Sequence, residues 1–500
     1  MTAAPSYRDA ARAIPRIRAG WTAFALALSA IVIHVPYLKL PFHWDEVGQF
    51  IPAALDLYRY GYWIPHRTLP NVHPPAVMAA LALVWRVFGF SILSARLSMA
   101  AIAALGVALC YLLAIRLTKG ARVAAMAATL FLIASPIFYT QSTMALLDMP
   151  AMTFTLLALL LFLERRYALC AAACVILVLT KETAITAPMV FGAWLLFKER
   201  QPRQALYFLA PAAALGLWLS VLHRATGHWL GNPEFAQYNA GTVFEFHHLA
   251  FAFLGRAWFL FGAQGHILGA AALALGWRRL RGSDWTIAFL VAAAQLILVT
   301  VFGGAELERY LLPILPVLYI AMAAAACSFS TLWRRVFYAA MLACFVVGWY
   351  WQTPFPWPYE DNLDMVDFVR LQQTAAHYLE EQMPSARIAT AWPLSDDLQY
   401  PEMGYVERPL KALKAPGLHP GEIAALGRAN FDVLVMFTNK RPVKGSSLDF
   451  PPLRGFLRYY YDYEPQASPE EIREAIGFVP SKRWERRGQW IEIYVPLPDH

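Results

Sequence analysis

Charge is what this sequence has least of. Asp, Glu, Lys and Arg make up 15% of 500 residues, against 58% apolar. A soluble domain carries roughly a quarter charged residues, so a wholly soluble chain is excluded. Cysteine is scarce too. The five cysteines, Cys110, Cys170, Cys174, Cys327 and Cys344, all lie in apolar segments, so they describe neither a disulfide framework nor a cysteine metal site. The P-loop, GxSxG and HExxH patterns are absent, so the common nucleotide, serine-hydrolase and zinc-peptidase chemistries have no foothold. The formal charge of +8 has no nucleic-acid motif to sit on, and its Lys and Arg are dispersed in short loops between apolar runs. No nucleic-acid partner is expected.

What is present is a series of apolar runs. Crossing a bilayer takes about 20 mostly apolar residues, and only helices satisfy their backbone there. Candidate spans are 20–40, 95–116, 122–141, 149–164, 167–180, 183–197, 204–222, 253–276, 285–302, 310–327 and 336–352, eleven in all. The first lacks a small-residue cleavage site near its end and reads as an anchor. Charges are clumped up to Trp351 and evenly spread after Pro354. This divides the chain into a membrane domain, 1–352, and a soluble α/β domain, 353–500. The fold class expected is mainly α, a polytopic membrane helical bundle with a C-terminal soluble α/β domain.

The run 73–90 decides the topology. If it does not span, Arg8, Arg12, Arg16 and Arg18 share the cytoplasmic side with Arg116/Lys119/Arg122, Arg165/Arg166, Lys198/Arg200/Arg203, Arg278/Arg279/Arg281 and Arg334/Arg335. If it spans, every cluster after the first flips. Arg86 lies within it, and an arginine at a helix centre costs roughly 2.5–3.5 kcal/mol to insert. Residues 73–90 therefore read as a helix in the membrane surface, with a second at 47–60. The N-terminus is then cytoplasmic and the soluble domain exterior, periplasmic in a cell inner membrane.

With that topology the acidic loop residues share the exterior face: Asp45/Glu46, Asp148, Glu182 beside Lys181, and Glu306/Glu308 beside Arg309. Each has two readings. Asp45–Glu46 is a pair able to take a proton from an acceptor hydroxyl or amine, or a solvated loop. His73 and Arg67 stand at headgroup depth, where a lipid phosphate would be, or His73 caps a helix. Asp148 opens an apolar span and is a site carboxylate or a helix cap. Lys181–Glu182 places a cation at phosphate depth, or caps a hairpin. Arg309 and Tyr310, like Arg96, offer phosphate contacts or interfacial anchors. Taken together they supply acids to activate an acceptor and cations to meet a phosphate. ATP and nucleotide sugars are scarce outside the cytoplasm, so the donor must come on a membrane carrier.

The set Asp45-Glu46, His73-Pro74-Pro75, Arg96-Leu97, Asp148-Met149-Pro150, Lys181-Glu182 and Arg309-Tyr310-Leu311-Leu312-Pro313 resembles the GT-C glycosyltransferases, over about residues 20 to 352. It is most similar to the branch with protein O-mannosyltransferases, lipid A aminoarabinose transferases and lipopolysaccharide-core galacturonosyltransferases. The resemblance implies an inverting transfer of sugar from a polyprenyl-phosphate carrier to an envelope acceptor. In it Asp45 is the general base and Asp148 helps position substrate; Glu46 and Glu182, beside the matched residues, are further candidates for that positioning. Lys181 and Arg309 bind the donor phosphate, with Arg96 and Tyr310 beside them. A basic residue in the family's lipid-binding surface helix is matched here by His73 alone. No cofactor is required, and no ligand cluster demands a divalent metal. The competing function is a transporter or flippase for a lipid-linked molecule, which would place charges mid-membrane in two related halves.

In the C-terminal region, Asp361 to Gln382 has helical spacing, and 387–391, 431–437 and 489–495 read as strands. Ser468, Pro469, Glu471 and Gly477 mark a capped helix. Asp396–Asp397 reads as a solvated turn.

Overall fold

A computed structural model describes residues 16–241, 245–302, 307–351, 359–438, 440, 450–461, 463 and 466–497. Arg8, Arg12, Glu306 and the 352/353 boundary lie outside them. The chain forms two compact units. One comprises Met1–Leu38 and Ala53–Gly348; the other comprises Lys39–Pro52 and Trp349–His500. The second unit thus takes an early piece of chain as well as the C-terminal region.

The first unit is helical, and the chain is a polytopic membrane protein. Five helices are long and apolar enough to cross a bilayer, namely Arg18–Tyr37, Ile92–Leu117, Pro202–Thr226, Ser283–Val301 and Thr331–Gly348. A bent pair, Phe246–Phe261 with Ala263–Arg279, makes a sixth. Other expected spans appear as shorter apolar helices, Arg122–Ala134, Asp148–Leu163, Tyr167–Thr180 and Leu315–Ser328. Length alone therefore supports five or six crossings, fewer than the eleven apolar runs. Residues 76–88 form a helix of 13 residues ended by Gly89 at φ 79°. At 1.5 Å per residue it is about 20 Å long, short of a roughly 30 Å bilayer core. Its Val77, Met78, Leu81, Ala82 and Trp85 are buried, whereas Arg86 is exposed.

Small residues and hydroxyls set the packing of this unit. Ile92–Leu117 lies against Arg16–Val32 and Asp148–Leu163. At Gly106 a Cβ would fall 2.7 Å from Thr153 Oγ1, so only glycine permits the approach. His266–Gly276 lies against Leu315–Ala325 in the same way, with a Cβ at Gly276 meeting the Ala325 carbonyl oxygen at 2.3 Å. Hydroxyls have no water to bond inside a membrane and turn to the backbone. Thr129 donates to the Ala125 carbonyl (2.9 Å) and Thr153 to that of Ile102 (3.1 Å). The bent pair turns by 48° at a break where Gln264 and Gly265 adopt φ 48° and 96°. Just beyond it, His266 Nε2 meets the Tyr319 hydroxyl at 3.0 Å, and that hydroxyl donates to Ser135 Oγ at 3.0 Å.

The second unit is built on a mixed five-stranded sheet of order β2-β1-β3-β5-β4. Its strands are β1 (Arg387–Ala391), β2 (Lys411–Ala415), β3 (Val433–Phe437), β4 (Phe478–Arg486) and β5 (Gln489–Pro496). β2, β1 and β3 run parallel, whereas β5 is antiparallel to both β3 and β4. The apolar β1, β3 and β5 stand in the centre where the pattern predicts strands. β2 and β4 are the edges and carry lysines and arginines, the usual defence of an unpaired edge. That composition hides them from a search for apolar runs. Asp364–Gln382 packs on β4 and β5, and Leu394–Gln399 on β1 and β2. Helix Pro469–Ile476 has the expected capping box: Glu471 N–H donates to Ser468 Oγ (3.2 Å) and Ser468 N–H to Glu471 Oε2 (2.7 Å). Gly477 ends it at φ 70°.

Candidate functional site

In the helical unit the singled-out residues converge on Asp148. This carboxylate is the first residue of Asp148–Leu163 and not its cap, a place taken by Leu147. Instead Lys181 Nζ donates to Asp148 Oδ1. Arg309 Nε lies 3.8 Å from Asp148 Oδ2. All three side chains are buried, at 3%, 5% and 2% exposure for Asp148, Lys181 and Arg309. The Tyr310 ring completes the group, its centroid 4.0 Å from Lys181 Nζ and 5.6 Å from the Arg309 guanidinium carbon.

Local chain breaks bring these residues together. Lys181 is an extended residue between helix Tyr167–Thr180 and the short turn Glu182–Ile185. Arg309 and Tyr310 belong to the tight turn Glu308–Leu311. Arg96, on Ile92–Leu117, donates from Nη1 to the Thr143 carbonyl at 2.9 Å. That bond holds the connection leading into Asp148. The electrostatic result is one anion between two cations. A lone buried charge is strongly penalised and a paired one is held in place.

Lys181 and Glu182 diverge rather than capping one hairpin. Glu182 Oε2 pairs with His73 Nδ1 at 3.0 Å. Burial pushes the Glu182 pKa up, but the His73 charge and hydrogen bond, with Lys181, more than offset it and hold the carboxyl below its ordinary range. Pro75, not His73, is the cap of the 76–88 helix. His73 also meets the edge of the Phe235 ring, centroids 5.5 Å apart.

Asp45 and Glu46 belong to the second unit. Glu46 is fully buried and its Oε2 accepts from the His43 N–H at 2.8 Å, so it closes its own turn. Asp45 directly precedes a π-helical turn, Glu46–Phe50, that leads into helix Ile51–Tyr60. Such turns recur at functional sites. The residue before it, Trp44, has φ 54°. A bulky side chain in the left-handed region costs about 1–3 kcal/mol and persists only where its surroundings enforce it. Trp44 was not legible as a site residue, because nothing in sequence marks a strained aromatic.

Asp397 overturns the expectation of a solvated turn. It is fully buried, and neither carboxylate oxygen has a hydrogen-bond partner. Burial, with the Asp396 charge second, pushes its pKa well above the ordinary range. It is the fourth residue of helix Leu394–Gln399, packed on β1 and β2, and charge pattern alone does not distinguish that place from a surface loop. Among the described residues, no three His, Cys, Asp or Glu side chains are grouped to hold a metal.

The chain thus joins a membrane helical unit, with its buried acid–cation cluster, to a mixed α/β unit. The chain is similar to ArnT from Cupriavidus metallidurans bound to undecaprenyl phosphate, with a TM-score of 0.56 and 16% identity over 95% of this chain and 98% of that one. It is also similar to ArnT from Cupriavidus metallidurans in the apo state, with a TM-score of 0.53 and 17% identity over 83% and 93%. At these identities the likeness is one of fold. Residues 84–181 match the profile of the dolichyl-phosphate-mannose-protein mannosyltransferase family. That segment runs from the 76–88 helix through Arg96 and Asp148 to Lys181. No curated protein matches the sequence.

Proposed function

We propose that this protein is an inverting glycosyltransferase that moves a sugar from a polyprenyl-phosphate carrier to an envelope acceptor. The observation that carries the reading is the buried group of Lys181, Arg309 and Tyr310 around Asp148. The fold it shares with an undecaprenyl-phosphate-bound ArnT supports the choice of carrier.

In this reading Asp45 takes the proton from an acceptor hydroxyl or amine. The freed lone pair attacks the anomeric carbon from the face opposite the phosphate. The anomeric C–O bond breaks and its electrons leave with the carrier phosphate. Lys181 and Arg309 stabilise the charge that builds there. Asp148 holds both cations ready, and Arg96 holds Asp148. The pairing of Glu182 with His73 steadies the turn that presents Lys181. Glu46 keeps the Asp45 turn closed.

The topology that goes with it has eleven crossings of the inner membrane. The N-terminus is cytoplasmic, the 76–88 helix lies in the outer leaflet, and the C-terminal domain is periplasmic. The transporter reading has less behind it, because the charges gather around one acid near chain breaks and do not recur in two related halves.

Mass spectrometry of envelope glycolipids and glycoproteins, with and without the gene, tests the function. Loss of one sugar from one acceptor is the expected result and names both substrates. Unchanged envelopes, with altered distribution of a lipid-linked sugar between leaflets, would favour the transporter.

A further inference from the structure

The segment that carries Asp45 makes contacts with residues more than 300 positions later in the chain, within the same compact unit. Its backbone is gripped on both sides of the carboxylate. Phe42 N–H donates to the Met403 carbonyl at 3.0 Å, and the buried Tyr405 hydroxyl donates to the Phe42 carbonyl at 2.9 Å. His43 is buried, and its Nε2 meets the Tyr359 carbonyl at 2.9 Å. A carbonyl can only accept, so Nε2 carries the proton, and the ring is fixed with its centroid 5.2 Å from that of Phe368. Trp44 meets Trp392 edge-on at 4.9 Å between centroids. Past the carboxylate, the π-turn closes on Trp392 again: a Cβ at Gly48 would lie 3.2 Å from that indole. One indole therefore bears on the residue before Asp45 and on the turn after it.

We propose that the C-terminal domain is the positioning element for the Asp45 carboxylate, with Trp392 and Tyr405 as its principal contacts. This rests on the reading of Asp45 as the base. The left-handed φ at Trp44 is what such a clamp would enforce, since the free chain would relax it. The donor-phosphate residues belong to the other unit. Loosening the clamp should therefore slow turnover without weakening the carrier. A displacement of about 1 Å at a reacting group can cost 10²-fold in rate.

The test uses the full-length protein in nanodiscs, with undecaprenyl phosphate as the binding probe. Turnover is read as acceptor modified in cells lacking the native gene. Trp392→Ala is expected to lower turnover at least 10-fold, Tyr405→Phe about 3-fold to 10-fold, and both to keep undecaprenyl phosphate affinity within about 2-fold. Trp392→Phe, which keeps an aromatic edge, should restore most of the activity. Gly48→Ala should slow turnover on its own and add little in the Trp392→Ala background, because both act on one contact. A general packing defect would lower binding and turnover together, and that outcome overturns the proposal. So does wild-type turnover in Trp392→Ala and Tyr405→Phe while Asp45→Asn is silent. If Asp45→Asn itself turns over, the reading of Asp45 as base fails, whatever Trp392 does. Should Trp392→Ala not fold, Tyr405→Phe and Gly48→Ala carry the same comparison.

Discussion

The two units organise their important carboxylates in opposite ways. In the helical unit Asp148 is held by charge, between Lys181 and Arg309 over the Tyr310 ring. In the mixed unit Asp45 stands on a segment held by neutral hydrogen bonds and aromatic edges. Charge pairing suits a group that must stay ionised in a poorly hydrated interior. A segment that presents a reacting group gains precision when packing and hydrogen bonds fix its backbone. The contrast matches the two roles proposed, a fixed counter-ion and a working base.

The strongest way to break the comparison is at the base. Asp45→Asn should reduce turnover by roughly 10²–10⁴-fold and leave undecaprenyl phosphate binding intact, measured on the same preparation. Asp148→Ala should impair binding and turnover alike. Removing one partner of a buried charge pair costs about 3–5 kcal/mol, so a markedly lower melting temperature and loss of carrier binding are expected together. Lys181→Met is milder. Losing a hydrogen bond to a charged group is worth about 1.5–3 kcal/mol, which corresponds to roughly 10-fold to 100-fold weaker carrier affinity in a titration. Gly276→Ala sharpens the contrast from outside either site. Its methyl would meet the Ala325 carbonyl, so a stability loss of about 1–3 kcal/mol is expected by thermal denaturation, with carrier affinity unchanged in the protein that remains folded.

The smallest effect expected is in the soluble domain. Arg387 binds Asp432 through Nε (3.1 Å), Nη2 (2.7 Å) and its backbone N–H (2.9 Å). The side-chain bonds first, then the backbone bond, hold the Asp432 pKa down to about 2. An unfolded aspartate titrates near about 3.9. The pair therefore adds stability above about pH 4 and loses it as pH falls toward about 2. Because both side chains are about half exposed, the contribution is modest. Arg387→Ala should lower the neutral melting temperature slightly, and the difference from the parent protein should shrink as pH falls toward about 2.

The legible parts of this protein were those set by period and by local rules. Apolar length located the membrane helices, and the Ser468–Glu471 capping box was readable residue by residue. Charge in an apolar setting singled out Asp148, Lys181 and Arg309, because isolated ions are too costly to leave there without purpose. Which cation met which acid was not readable. Lys181 and Glu182 are neighbours in sequence, yet one turns to Asp148 and the other to His73, and only the chain break at 181 decides that. The grouping of 39–52 with the C-terminal domain was equally hidden. It depends on contacts such as Phe42 with Met403 and Tyr405, across a sequence separation that no periodicity reports. Asp397 was misread because burial by a sheet face leaves no trace in a run of polar residues.

The discontinuity of the second unit has a consequence for biogenesis. Residues 39–52 leave the ribosome early, but Trp392, Met403 and Tyr405 are made only after the whole helical unit. Until then Trp44 has nothing to enforce its strained backbone, and the acid beside it stays unplaced. A chain arrested between residues 349 and 405 would carry the described membrane helices without these contacts to residues 39–52, so on the proposed reading Asp45 is placed only once synthesis has passed that point.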